Sequence, residues 1–162
     1  MVCEWAEAPA LAQHLHNALV HGYVSAWLTW ELYRDPGGSP VALITDDGPT
    51  PKFYAMKQYF RYVRPGAVRV EAACDDADLL VTAFVHKAQS TATLVTINRD
   101  TSAKAIDCSL RNSPGEIATL SQYRTSSTEN SVDAGPVTVS GGEFSATIPA
   151  DSITTFTGTL AR

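Results

Sequence analysis

The chain has 162 residues, 44% of them hydrophobic, and a formal net charge of −5. That length suits one medium domain, or one domain plus a piece of another, and the apolar content excludes wholesale disorder. No Lys/Arg cluster and no apolar run of about 20 residues occurs, so neither a nucleic-acid nor a membrane partner is expected.

The first predicted element is a helix starting around Glu7 to Pro9. Leu11, Leu15, Ala18 and Leu19 share one face, Pro9 fits a first turn, and His21-Gly22 ends the helix. Val24 to Trp30 then reads as a short buried strand. Turns follow at Asp35-Pro36-Gly37-Gly38 and Asp46-Asp47-Gly48. Pro51 opens a second helix through Val63, with Phe53, Met56, Phe60 and Val63 at helical spacing. Helix–strand–helix is the repeating unit of a parallel α/β fold.

Character changes at Arg64-Pro65-Gly66. Beyond it, strands are predicted at Ala67–Ala72, Leu79–His86, Ala92–Asn98, Ala103–Ser109, Ala118–Arg124, Val137–Val139, Glu143–Thr147 and Ile153–Thr159. Alternation is clear in Thr91 to Ile97, and Gly141-Gly142 signals a hairpin. Several short strands at this spacing predict an antiparallel sandwich. The fold class expected is an α+β composite: the end of a barrel, then a β-sandwich, divided into residues 1–63 and 64–162.

Two stretches carry a family resemblance. Leu15-His16-Asn17-Ala18-Leu19 followed by Ser25-Ala26-Trp27-Leu28-Thr29-Trp30 is one. Lys52-Phe53-Tyr54-Ala55-Met56-Lys57-Gln58-Tyr59-Phe60 with Arg61-Tyr62-Val63-Arg64-Pro65-Gly66-Ala67 is the other. With Thr147-Ile148-Pro149-Ala150 and Thr154-Thr155-Phe156 near the end, these resemble the carboxyl-terminal part of glycoside hydrolase family 30. The resemblance spans nearly the whole chain with its motifs in order. It implies a (β/α)8 barrel fused to a β-sandwich, secretion, and retaining hydrolysis of a polysaccharide of the xylan, β-1,6-galactan or β-1,6-glucan type, without cofactor or metal.

Retaining hydrolysis needs two carboxyl groups roughly 5–5.5 Å apart, a nucleophile and an acid/base. The resemblance places them at the ends of barrel strands four and seven. Strand four, and with it the acid/base, belongs to the upstream part of the barrel, which is missing from these residues. Cys3-Glu4-Trp5 resembles a nucleophile phrase of the family, making Glu4 a candidate. The short spacing from Glu4 to His16 favours an ordinary helix-start carboxylate instead. The chain is therefore expected to be inactive alone. Trp30 matches the aromatic floor of the family's site, where a ring stacks on the apolar face of a sugar; a barrel-core role weighs equally. Tyr33 and Arg34, in the loop after strand eight, match positions that grip a substrate carboxylate in some members, since arginine forks onto carboxylates. The loop departs from the "YIRRSYG" form of glucuronoxylan-acting members, so solvated polarity competes for Glu31 and Arg34.

Asp46-Asp47-Gly48 lacks the rest of a calcium loop and is read as a turn. His16 is expected in the packing layer. Cys3, Cys74 and Cys108 match no zinc spacing, and a Cys74–Cys108 disulfide and free thiols both remain open. The sandwich has two competing roles, a carbohydrate-binding module or a purely structural support. Phe84, Phe144 and Phe156 in apolar-in alternation favour support.

Overall fold

The computed structural model describes residues 7–34 and 42–161. Two helices, α1 (Glu7–Val20) and α2 (Pro51–Phe60), flank a small hairpin of β1 (Ile44–Thr45) and β2 (Gly48–Pro49). Eight strands follow: β3 (Val68–Val70), β4 (Leu79–His86), β5 (Thr91–Asn98), β6 (Lys104–Ser109), β7 (Thr119–Thr125), β8 (Asn130–Thr138), β9 (Glu143–Ile148) and β10 (Ser152–Thr159). Six form one antiparallel sheet in the order β3-β4-β5-β10-β7-β8, and β6 pairs with β9 as a separate cover. The fold is an antiparallel β-sandwich with few helices.

Both faces of the large sheet are buried. In β5 and β10 the side chains of Val95, Ile97 and Ile153 join one core with Ala8, Ala12 and Leu15 of α1 and Ala55, Met56 and Tyr59 of α2. Strand alternation sends Leu79, Leu120 and Phe156 to the other face, where Phe144 and Ile148 of the cover meet them. Phe144 and Phe156 lie 5.2 Å apart between ring centroids. The aromatics expected in the core are there: Phe84, Phe144 and Phe156 are all buried.

A polar layer fixes the helices on the sheet. Gln58 Nε2 donates to Thr125 Oγ1 at 2.6 Å, and Thr155 Oγ1 donates to the Gln58 carbonyl at 3.0 Å. His16 Nδ1 lies 2.6 Å from Thr82 Oγ1 in a buried contact, the packing-layer role expected for it. Burial holds the His16 pKa below its ordinary value, and His21, Arg99 and Arg69 act in the same direction. Each of these bonds satisfies a group that would be costly to bury alone.

The junction between the helices and the sandwich is equally tied. His86 Nε2 lies 2.9 Å from the Pro65 carbonyl, while its Nδ1 accepts from Gln89 N at 3.1 Å. Accepting at Nδ1 leaves Nε2 as the protonated donor to Pro65. Gly66 turns here at φ 96°, and a Cβ would stand 3.1 Å from the His86 ring.

Two expectations need correction. Residues 24–30 do not form a strand: no ladder partner lies beside them among the described residues, and a strand exists only through its neighbours' hydrogen bonds. The helical faces are rotated from the predicted stripes. In α2 the buried set is Lys52, Ala55, Met56, Gln58 and Tyr59, and Phe60 is exposed, because α1 and the sheet enclose different sides of one short helix. In α1 the stripe runs through Ala8, Ala12, Leu15 and His16. Both helices bury a face on the sheet, and apolar exposure in this part of the chain concentrates in Tyr23, Val24, Leu28, Trp30, Leu32 and Tyr33.

Candidate functional site

Helix α1 ends at Val20, where His21 N and Gly22 N both donate to the Asn17 carbonyl. Tyr23 adopts φ 51° and redirects the chain outward, and the Arg69 guanidinium sits 5.4 Å from its ring centroid. The segment then crosses the surface. Trp27 turns inward against the helix core, with Nε1 donating to Thr29 Oγ1 at 3.1 Å. Leu28 and Trp30 point out, 96% and 78% exposed. Trp27 thus packs on the helix layer, and Trp30 is a solvent-facing ring.

After Trp30, whose peptide bond to Glu31 is cis, the backbone is held again. Leu43 N donates to the Glu31 carbonyl at 2.9 Å, Ile44 N to Leu32 O at 2.8 Å, and Arg34 N to Ile44 O at 3.2 Å. Thr50, just before Pro51, secures this pairing from below. Its Oγ1 reaches the Ala42 and Leu43 carbonyls at 3.1 and 3.0 Å, so its hydroxyl bonds the backbone just before β1 and does not cap α2. A short hairpin therefore presents the 30–34 loop. The Asp46-Asp47 turn expected from sequence is present, with Gly48 at φ 108°.

Trp30, Tyr33 and Arg34 are brought together on this loop. Two further residues complete it. Tyr33 Oη donates to Asp46 Oδ1. Arg34 forks onto Glu31, with Nε 2.5 Å from Oε1 and Nη2 donating to Oε2 at 3.2 Å. Sequence reasoning assigned Glu31 to loop polarity and Asp46 to a turn. The Glu31–Arg34 spacing of three was the available signal for the first, whereas nothing in the sequence tied Asp46 to Tyr33, thirteen residues earlier. Glu4 lies outside the described residues.

Chemically the loop offers an exposed indole, a phenol and a guanidinium, with both carboxylates already engaged. That arrangement does not present two opposed carboxyl groups for a displacement. Among the described residues no group of three or more His, Cys, Asp and Glu is placed to hold a metal, and no helix is long and apolar enough to cross a membrane.

A profile of the glycosyl hydrolase family 30 beta sandwich domain matches residues 66–156. The chain belongs to glycoside hydrolase family 30. It is 34% identical over 154 residues to glucuronoxylanase XynC of Bacillus subtilis strain 168, covering 94% of this chain. It is 30% identical over 154 residues to another Bacillus subtilis enzyme of that name. The chain spans about a third of these curated relatives, 34% of each. Among solved structures it is similar to a GH30 endoxylanase from Clostridium papyrosolvens C71. There the identity is 27% and the TM-score 0.83, over 98% of this chain and 39% of that one. The subfamily 8 xylanase Xyn30A of Clostridium acetobutylicum superposes with a TM-score of 0.87 at 23% identity, over 98% of this chain and 40% of that one. The sandwich and the family expected from the sequence are thereby established.

Proposed function

We propose that these residues supply the closing end of a xylan-hydrolysing catalytic barrel, residues 1–63, together with the β-sandwich, residues 64–162, that supports it. The observation carrying this reading is the segment 24–30. It leaves the helix layer apolar and aromatic, without a strand partner among the described residues, and ends in the exposed Trp30. A strand of a closed barrel has that character when its neighbouring strands are not beside it.

In the assembled barrel, Trp30 stacks on a sugar ring at the mouth of the site and Tyr33 borders it. The relatives named for glucuronoxylan and xylan support a xylan substrate. Arg34 is the group suited to a glucuronate branch, but Glu31 already occupies its fork, so a substrate carboxylate has to displace Glu31. Backbone hydrolysis with little dependence on the branch is therefore the expected specificity. The displacement itself requires a glutamate pair, of which Glu4 is the one candidate within residues 1–34. An extracellular location follows for an enzyme whose substrate is an insoluble wall polymer.

The sandwich is read as support and not as a sugar-binding module. Its described residues expose only valines among large hydrophobic side chains, Val68, Val70 and Val132, so no sheet face offers a ring platform. Reducing-sugar release from xylan tests the whole reading. The purified chain should release none. The chain combined with the remaining two-thirds of the Bacillus subtilis glucuronoxylanase should release sugar, and Trp30→Ala should lower that rate at least about tenfold, the scale of one lost stacking contact. Hydrolysis by the purified chain alone would overturn it.

A further inference from the structure

The cover strand β6 has one partner, β9, on one side. On the far flank β9 approaches β8. The segment 71–78, which links β3 to β4, meets the cover at Lys104, the first residue of β6. Register explains why that segment lies there. Val70 pairs with Ala83, so residues 71–78 return past Leu79–Thr82, where β4 has no β3 partner. Charges pin it to the cover: Lys104 Nζ reaches Asp76 at 3.0 Å, Asp78 at 3.9 Å and Asp100 at 2.7 Å. Arg99 N and Nη2 hold the carbonyls of Asp78 and Ala77 at 2.9 and 2.5 Å.

Cys74 sits in the middle of this pinned segment, exposed. Cys108 lies on β6, on the same half-buried side as Lys104 and Ile106, and packs against the core between cover and sheet. Both are free thiols. Cys74 is near enough to act electrostatically on Cys108, adding to the burial that pushes the Cys108 thiol up.

We infer that Cys74 and Cys108 close to a disulfide when the protein meets a small disulfide oxidant such as glutathione disulfide, stitching the open edge of the cover to the β3–β4 connection. The Cys74 thiolate attacks one sulfur of the oxidant, giving a mixed disulfide and releasing one glutathione thiolate. The Cys108 thiolate then attacks Cys74 Sγ and expels the second. Two protons leave the cysteines, and the oxidant takes up two electrons as two thiols. Burial makes Cys108 the slower partner, so closure is faster in mildly alkaline buffer. The inference does not depend on the glycosidase reading, because it concerns only the sandwich.

The experiment treats the purified chain with glutathione buffer rich in the disulfide form, alkylates remaining thiols, digests with trypsin and omits reductant. The expected product is peptide 70–87 joined to peptide 105–111, two hydrogens lighter than the sum. The oxidised chain should also melt several degrees above the reduced one, as closing a long loop predicts. Cys74→Ser should abolish both the link and the rise, and Cys3→Ser should leave both intact. Recovery of Cys74 and Cys108 as separate alkylated peptides overturns the inference. So does a link to Cys3, to glutathione as the final product, or to a second molecule.

Discussion

Met56 offers a direct measure of how far the helices and the sandwich fold as one unit. Its side chain is completely buried, between Ala8, Ala12 and Leu15 of α1 and Val95, Ile97 and Ile153 of the sheet. Met56→Ala removes three heavy atoms from a site whose small neighbours, Ala8, Ala12 and Ala55, cannot swing in to refill it. Methionine truncations of this kind cost about 2–5 kcal/mol, and poor collapse points to about 3 kcal/mol. An unfolding entropy of about 2.1 cal/mol/K per residue over this chain gives about 0.34 kcal/mol/K, so the midpoint should fall by about 9 °C. Met56→Leu, which keeps the volume, should cost less than about 1.5 kcal/mol. Thermal melts give the midpoint, and amide hydrogen exchange reports where the loss lands. Protection should fall together in α2 and at Val95, Ile97 and Ile153. If β5 and β10 keep their protection while the helices lose theirs, the shared core does not couple the two layers and the reasoning fails.

Two other expectations follow from single residues. His16 binds its proton less readily folded than unfolded, so the unfolded chain takes up more protons as acidity rises. Stability should be full above pH about 6.5 and decline as pH drops through the lowered folded value; in His16→Gln that part of the slope should vanish, and an unchanged slope in urea titrations would refute the assignment. At Gly158 a Cβ would stand 2.7 Å from the Thr119 carbonyl and 2.9 Å from Leu120 Cδ2. Since the backbone oxygen cannot withdraw, Gly158→Ala should lower stability by about 1–3 kcal/mol, and a neutral melt would contradict the close approach.

The sandwich was legible because its signal is local. The Thr91–Ile97 alternation falls within β5, Leu79–His86 is β4 itself, and Gly141-Gly142 turns with both φ values positive, 61° and 79°. Strand β8 was foreseen only at its end, since its first half contains Ser131 at φ 57° and register shifts against β7 that break any alternation. The α2 face was misread because spacing alone does not reveal that a ten-residue helix is enclosed on two sides, so that Gln58 is buried and Phe60 is not. Residues 24–30 read as a strand for their composition, but pairing is a property of neighbours and not of the segment. At the candidate site, Trp30, Tyr33 and Arg34 were singled out by their place in the motifs. The partners Asp46 and Glu31 emerged only when the 31–34 and 43–44 backbones were seen to pair.

The sheet that is covered on both sides has a consequence for engineers. A segment cut at residues 66–156 would carry its strands away from α1 and α2 and bring Val95, Ile97 and Ile153 into water. Such an excised piece should clump or demand detergent, and grafting it onto an unrelated enzyme would transplant a sticky surface along with a scaffold. This sandwich travels with its helices, as a keel does with its hull.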